Sequence, residues 1–385
     1  MNLSDAETFI SPNVRPTVAI IDLDKLASNF RAIKALCEPD TKILAVVKAN
    51  AYGHGAVECS KTLAAAGADQ FGVAIVEEGI ELRDAGISQP ILCIGGIWPG
   101  DEERVIRHNI TPVILTTEMA ERLNRAAAER QTTVDVHLKL DTGMGRVGVV
   151  LDELPSFIDT LLNLKNIRVT GVMTHFAAAN DPNETEFTER QIADFYRGVE
   201  LLRSRGIQPE ILDMANSPAA VLYKSSHGNM IRPGGLLYGF GDILPSGSRV
   251  EGIEPVMSLR TKVAMVKDVP AGASIGYARS FVTQRASRIA TLPIGYNDGY
   301  TRSLSNKGEV LICGKAAPVI GRISMDWTTV DITGIPEVSA GSDVILIGSD
   351  GSESITADDV AAQCGTISYE ITCGITSRIP RIYIK

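Results

Sequence analysis

Residues 43–49 read ILAVVKA, an apolar run closed by Lys48. A run of this length and composition suits a strand covered on both faces, as in a parallel sheet. Its terminal charge either reaches solvent at a strand end or stands at the mouth of a fold. Seven further runs share the texture: FGVAI (71–75), ILCIGG (91–96), TPVIL (111–115), VDVHLKLD (134–141), VTGVMTH (169–175), ILDMA (211–215) and MIRPGGLLYG (230–239). Between them lie stretches with helical apolar spacing, such as LDELPSFIDTLLNL (151–164) and FTERQIADFYRGVELLRSRG (187–206), and LDKLASNFRAIKALC (23–37) precedes the first. Eight such units closing on themselves predict an α/β fold, a (β/α)8 TIM-type barrel; a doubly wound open sheet is the alternative.

Beyond about residue 249 the texture changes. KVAMVKDVPAG, RIATLPIGYNDGY, GEVLICGKAAPVIGRI and SDVILIGSDG are short β-rich runs punctuated by Gly and Pro, and helical spacing returns only briefly in TADDVAAQCG. This reads as a separate C-terminal mostly-β domain. The expected organisation is an N-terminal arm (1–16), a barrel domain (17–248) and a β domain (249–385), with residues 17–23 able to add a strand to the β domain. A chain of 385 residues supports two cores.

Composition narrows the function. With 46 acidic against 37 basic side chains the net charge is −9, which argues against a general nucleic-acid binder. The cysteines, Cys37, Cys59, Cys93, Cys313, Cys364 and Cys373, are scattered without a CxxC pair, so neither a disulfide framework nor a zinc site is expected. The opening MNLSDAETFISPN lacks a basic segment leading into an apolar one, and no apolar run is long enough to span a membrane. The expected location is the cytoplasm.

In a (β/α)8 barrel the chemistry gathers at the C-terminal strand ends, with phosphate commonly held after strands seven and eight. Here those ends carry Lys48; Lys139 and Asp141, with Arg146 just beyond; His175; Asn216-Ser217; and Arg232-Pro233-Gly234-Gly235. Each has a plain reading: a solvated strand end, a structural histidine, a loop ion pair between Asp141 and Arg146, a turn. Their convergence on one rim is harder to explain that way. Ser217 and the amides of Gly234-Gly235 suit a phosphate, and a lysine amine across the barrel suits a carbonyl. Pyridoxal 5'-phosphate (PLP) carries both groups. The scattered histidines show no metal-ligand spacing, GEVLICGKAA misses the nucleotide phosphate-loop spacing, and no serine-hydrolase elbow is present.

At these residues the chain resembles the alanine racemases, PLP enzymes of fold type III. AVVKANAYGHG, KLDTGMGRVG, MTHFA, ANSPAA, IRPGGLLYG, LPIGYNDGY, GRISMDW and TISYEI follow the family's motifs in order across essentially the whole chain. The resemblance implies that Lys48 holds PLP as a Schiff base and is one catalytic base, with Tyr277, in SIGYARSF, the opposing base. It places Arg232 against the pyridine nitrogen and His175 beside the ring. Tyr52, Ser217, Gly234, Gly235 and Tyr369 would surround the phosphate. Arg146 would support cofactor and substrate carboxylate, Met325 would contact that carboxylate, and Lys139 is a candidate for carbamylation. It further implies a head-to-tail homodimer with composite active sites, and L-alanine/D-alanine interconversion serving peptidoglycan or alanine catabolism. The alternatives are a serine or broad-specificity racemase and, further off, a PLP decarboxylase, which would pair the pyridine nitrogen with a carboxylate. The sequence departs from the common family pattern at Asp213, where many relatives have His, at Gly235, and at Ser324, where Cys often stands.

Overall fold

A computed structural model describes residues 15–385, so most of the N-terminal arm lies outside the described residues. Strand β1 (Val18–Asp22) leads into the helix Leu23–Ala35, which Asp22 caps by accepting from the Lys25 amide. Then come β2 (Lys42–Val46), β3 (Gln70–Val73), β4 (Ile91–Cys93), β5 (Ile110–Ile114) and β6 (Val134–Asp141). They are followed by β7 (Val149–Val150), β8 (Ile167–Met173), β9 (Ile211–Asp213) and β10 (Met230–Ile231). Eight of these, all but β1 and β7, pair in parallel from β2 through β3, β4, β5, β6, β8, β9 and β10 back to β2, which closes the barrel.

The outer helices form for ordinary reasons. In Thr117–Glu129 the Thr116 hydroxyl accepts from the Met119 amide, satisfying one of the first-turn donors. The helix buries Met119, Ala120, Leu123 and Ala127, a single face at helical spacing. Burial of a side chain such as Leu123 stabilises the fold by about 1.5–3 kcal/mol. The helix ends at Arg130, and Gln131 adopts a positive φ of 53°.

Two strand readings need correction. The eighth run, 230–239, is a strand only at Met230–Ile231; Pro233 has no amide for a ladder, and Gly235–Tyr238 forms a 3-10 turn. The first run ends as a strand at Val46, and Lys48 opens a different conformation described below.

The second unit is mostly β. Its main sheet runs Lys315–Pro318, Glu309–Ile312, Asp343–Asp350, β11 (Met257–Lys262), β1 and Arg381–Ile384. β1 lies antiparallel to β11 and parallel to Arg381–Ile384, so the first described strand completes a sheet made of the last third of the chain. A second sheet joins Met265–Val269, Ser287–Leu292 and Thr328–Asp331. One buried apolar cluster is continuous through barrel and β domain, from Leu44 and Phe71 to Leu292 and Val344.

Candidate active site

At the C-terminal end of the barrel a cavity of about 580 Å³ is lined by Lys48, Tyr52, Lys139, Arg146, His175, Ser217, Arg232, Gly234 and Tyr369, among others. Gly235 stands behind it, its backbone N–H donating to the Tyr369 hydroxyl. The cavity thus gathers most of the residues singled out in the sequence. Tyr277 and Met325 are not among them: both sit on the β domain, 70% and 51% exposed, away from this cavity.

Lys48 is positioned by an unusual turn. Ala49, Asn50 and Ala51 have φ near +53° and ψ near +49°, and Tyr52 has φ 52°, one left-handed helical turn of non-glycine residues. Such a conformation costs roughly 1–2 kcal/mol per residue, so specific contacts must hold it. Glu78 accepts from the Ala49 amide at 2.6 Å and from the Ala74 amide at 2.7 Å, joining the turn to the end of β3. Asn50 Oδ1 accepts from the Ala56 amide at 2.8 Å. Gly53 (φ 86°) ends the turn; a Cβ there would lie 2.1 Å from the Thr372 carbonyl oxygen, so only glycine fits. Glu78 escaped the sequence reading: as third residue of the helix Val76–Asp84 it also accepts from the Ile75 amide at 3.4 Å, but Ile75 offers no side-chain oxygen and so no capping-box signature.

His54 is fully buried, with Nδ1 placed 3.0 Å from both the Ala51 and Tyr52 carbonyls. Burial lowers its pKa to about 4, so it is neutral and serves this turn. Its ring stacks 4.6 Å from Tyr238, which in turn lies 5.2 Å from Tyr52. Tyr52 meets Tyr369 edge-on at 5.2 Å. The two hydroxyls fill the space over the glycines: a Cβ on Gly234 would lie 2.7 Å from the Tyr52 oxygen, and one on Gly235 would lie 2.4 Å from the Tyr369 oxygen. Ser217 Oγ accepts from the Gly234 amide at 2.9 Å and the Leu236 amide at 3.3 Å. Hydroxyls, backbone N–H groups and glycines in one corner form a donor set suited to a phosphate.

The opposite wall is cationic. Arg232 is buried and donates through Nη2 to the Thr174 carbonyl at 2.9 Å and to His175 Nδ1 at 3.3 Å, while Nη1 pairs with Asp213. An acceptor Nδ1 means a neutral His175, and burial followed by the Arg232 charge does hold its pKa well below the ordinary value. Burial first, then Arg146, lowers the pKa of Lys48, which raises the neutral amine fraction. Burial, Arg232 and Arg146 bring Lys139 down to about 8. Asp141 caps its own loop rather than serving Lys139 alone, accepting from the Gly143 and Gly145 amides at 3.0 and 3.1 Å. Cys373 is a further neighbour of Lys48 that the sequence did not flag; burial raises its thiol pKa and Lys48 opposes that. The arrangement offers an amine of reduced basicity, an anion cradle and an arginine that does not give up its proton.

Residues 21–242 match the alanine racemase N-terminal domain family, and residues 256–383 match the alanine racemase C-terminal domain family. The alanine racemase of Halothermothrix orenii is 43% identical over 371 residues, which cover 96% of this chain and 97% of that protein. The alanine racemase of D-cycloserine-producing Streptomyces lavendulae has a similar fold with a TM-score of 0.91 at 34% identity, covering 97% of this chain and 98% of that one. The alanine racemase of Bartonella henselae, solved with covalently bound pyridoxal phosphate, gives a TM-score of 0.86 at 30% identity over 96% of this chain and 100% of that one. With both domains matched in order over nearly its whole length, the chain belongs to the alanine racemase family.

Proposed function

We propose that this chain is a PLP-dependent racemase that interconverts L-alanine and D-alanine in the cytoplasm, as a homodimer. The observation that carries the reading is the convergence of Lys48, the Ser217–Gly234–Tyr52–Tyr369 corner and Arg232 on one cavity. The residues fit the cofactor. Lys48 would hold it covalently; Ser217, Gly234, Gly235, Tyr52 and Tyr369 would take its phosphate; Arg232 would face its ring nitrogen and His175 would flank the ring. When bound, PLP draws electron density from the substrate α-carbon and acidifies its proton.

The chain's own groups would then do the following. Lys48 Nζ, less basic through burial and Arg146, exchanges the α-proton on one face. Tyr277 exchanges it on the other. Because Tyr277 and Met325 stand exposed on the β domain rather than in this cavity, they would be supplied by a second copy arranged head-to-tail. Arg146 would steady the substrate carboxylate, with Met325 against it. An arginine such as Arg232 is a poor proton donor and would withhold a proton from the ring nitrogen, a setting that favours racemisation over decarboxylation. With its pKa near 8, Lys139 has a neutral fraction available to take up carbon dioxide as a carbamate. The unit boundaries we assign are 17–248 and 249–385, with β1 contributing its strand to the second.

The purified protein tests this directly. It should show visible absorption from bound PLP and form D-alanine from L-alanine; release of carbon dioxide without D-alanine would overturn the reading. Lys48→Ala should lose the covalent cofactor signal and at least about 10³-fold in turnover. In deuterated water, Tyr277→Phe should slow exchange from L-alanine by about 10²–10⁴-fold and from D-alanine far less. Equal slowing from both would refute the assignment of one base to each face.

A further inference from the structure

Behind Arg232 lies a carboxylate with no part in the scheme above. Asp213 ends β9, in register with Met173 of β8 and Met230 of β10, and is fully buried. Its Oδ1 accepts from Arg232 Nη1, and both side chains are shut from solvent, 3% and 0% exposed. Its Oδ2 makes no hydrogen bond among the described residues. The same Nη1 reaches the Asp213 carbonyl at 3.2 Å, and Nη2 reaches the Met214 carbonyl at 3.4 Å. The guanidinium is therefore gripped by the ends of β8 and β9, with Asp213 its single charged partner among the described residues.

We propose that Asp213 is the positioning residue for Arg232: it fixes the guanidinium where it would meet the cofactor's ring nitrogen and offsets the positive charge presented there. The assignment rests on the cofactor reading above. The geometry favours it over a plain structural ion pair in one respect. The carbonyls of Thr174, Asp213 and Met214 share in anchoring the arginine, so a neutral side chain that still accepts a hydrogen bond at 213 would leave it in place. What only the carboxylate supplies is a negative charge amid Lys139 on β6, His175 after β8 and Arg232 after β10, with Lys48 and Arg146 acting on the same cluster. Burial pushes the Asp213 pKa up to about 6, against the pull of Arg232, so the offset is present at neutral pH and fades on mild acidification.

The test uses Asp213→Asn, Asp213→His and Asp213→Ala, each measured for PLP affinity by absorbance titration of the cofactor-free protein and for the pH profile of kcat/KM. Asp213→Asn and Asp213→His keep an acceptor for Arg232 without the charge. They should bind PLP within about threefold of wild type and lack the acid limb near pH 6 expected of wild type. Asp213→Ala removes the acceptor as well and should weaken PLP binding at least about tenfold. An unchanged acid limb in both Asn and His variants overturns the charge role, and wild-type PLP affinity in the Ala variant overturns the positioning role. If Ala does not fold, the Asn and His variants still decide the charge role. A wild-type protein that takes up no PLP overturns the cofactor reading itself, and this assignment with it.

Discussion

Among the described residues, two fully buried aspartates pair with arginines, one in each domain, and their carboxyl groups are displaced in opposite directions. Asp213 at the end of β9 faces one arginine, itself buried. Asp298, in LPIGYNDGY of the β domain, faces Arg15 and Arg378, which are 28% and 40% exposed. Asp298 also accepts from the Gly295 amide at 3.0 Å, and Arg15 donates to it through both terminal nitrogens, Nη1 at 2.6 Å. Burial raises both carboxyl pKa values. For Asp213 it prevails and leaves the group near 6; for Asp298 the Arg15 hydrogen bond and the Gly295 amide overcome it, and the pKa falls below the usual range. The residue types are the same. How deeply the carboxyl is desolvated, and how many donors it meets, decide the sign.

The comparison is sharpest under substitution. Asp298→Asn removes a charge that two arginines share and should cost about 2–3 kcal/mol at pH 7, with the partial exposure of Arg378 keeping it from the larger values of sealed pairs. Urea midpoints at fixed protein concentration would measure it. Because the folded pKa of Asp298 is depressed, its stabilisation is present above the unfolded value of about 3.9 and is lost as pH falls through the folded one. The gap between wild type and Asp298→Asn should therefore close below about pH 4.

Asp213→Asn should behave in the opposite sense. A raised folded pKa means that the group's contribution is complete below about pH 4 and is lost as pH rises through about 6. Wild type should gain on Asp213→Asn by up to about 3 kcal/mol on acidification across that window. Two curves that bend the same way would dissolve the distinction between the pairs. The smallest effect expected is that of Arg15→Ala, about 1 kcal/mol, since Arg15 is partly exposed and Arg378 and the Gly295 amide remain on Asp298.

Polar residues that close apolar runs were the legible part of this chain. Lys48, Lys139, His175 and Arg232 announce themselves because a buried strand has no ordinary use for them, and a barrel places its strand ends on one rim. The closed barrel followed from eight runs of one texture. Tyr277 and Met325 carry no such signal: they lie on exposed loops of the β domain and entered only through the family's motifs. The Asp213 departure was visible as an identity, but its grip on Arg232 depends on β8 and β9 ending at one height. Nothing in Ala49-Asn50-Ala51-Tyr52 foretells four consecutive left-handed residues, because long-range contacts, not local preference, hold them there.

Those contacts have a consequence for the order in which the molecule is made. The carbonyl of Gly53 accepts from Arg381 Nε at 3.0 Å, and the same arginine binds the carbonyls of Thr376 and Ile379 at 2.6 and 2.8 Å. A Cβ on Gly55 would lie 1.8 Å from the Tyr383 hydroxyl, so the last strand seats directly on this turn. Lys48 and its turn are thus made long before the clamp, which lies 328 residues further along the chain from Gly53. Until Arg381 and Tyr383 leave the ribosome, the strained turn has only its local partners Glu78, Asn50 and His54, and it gains its clamp when that strand docks.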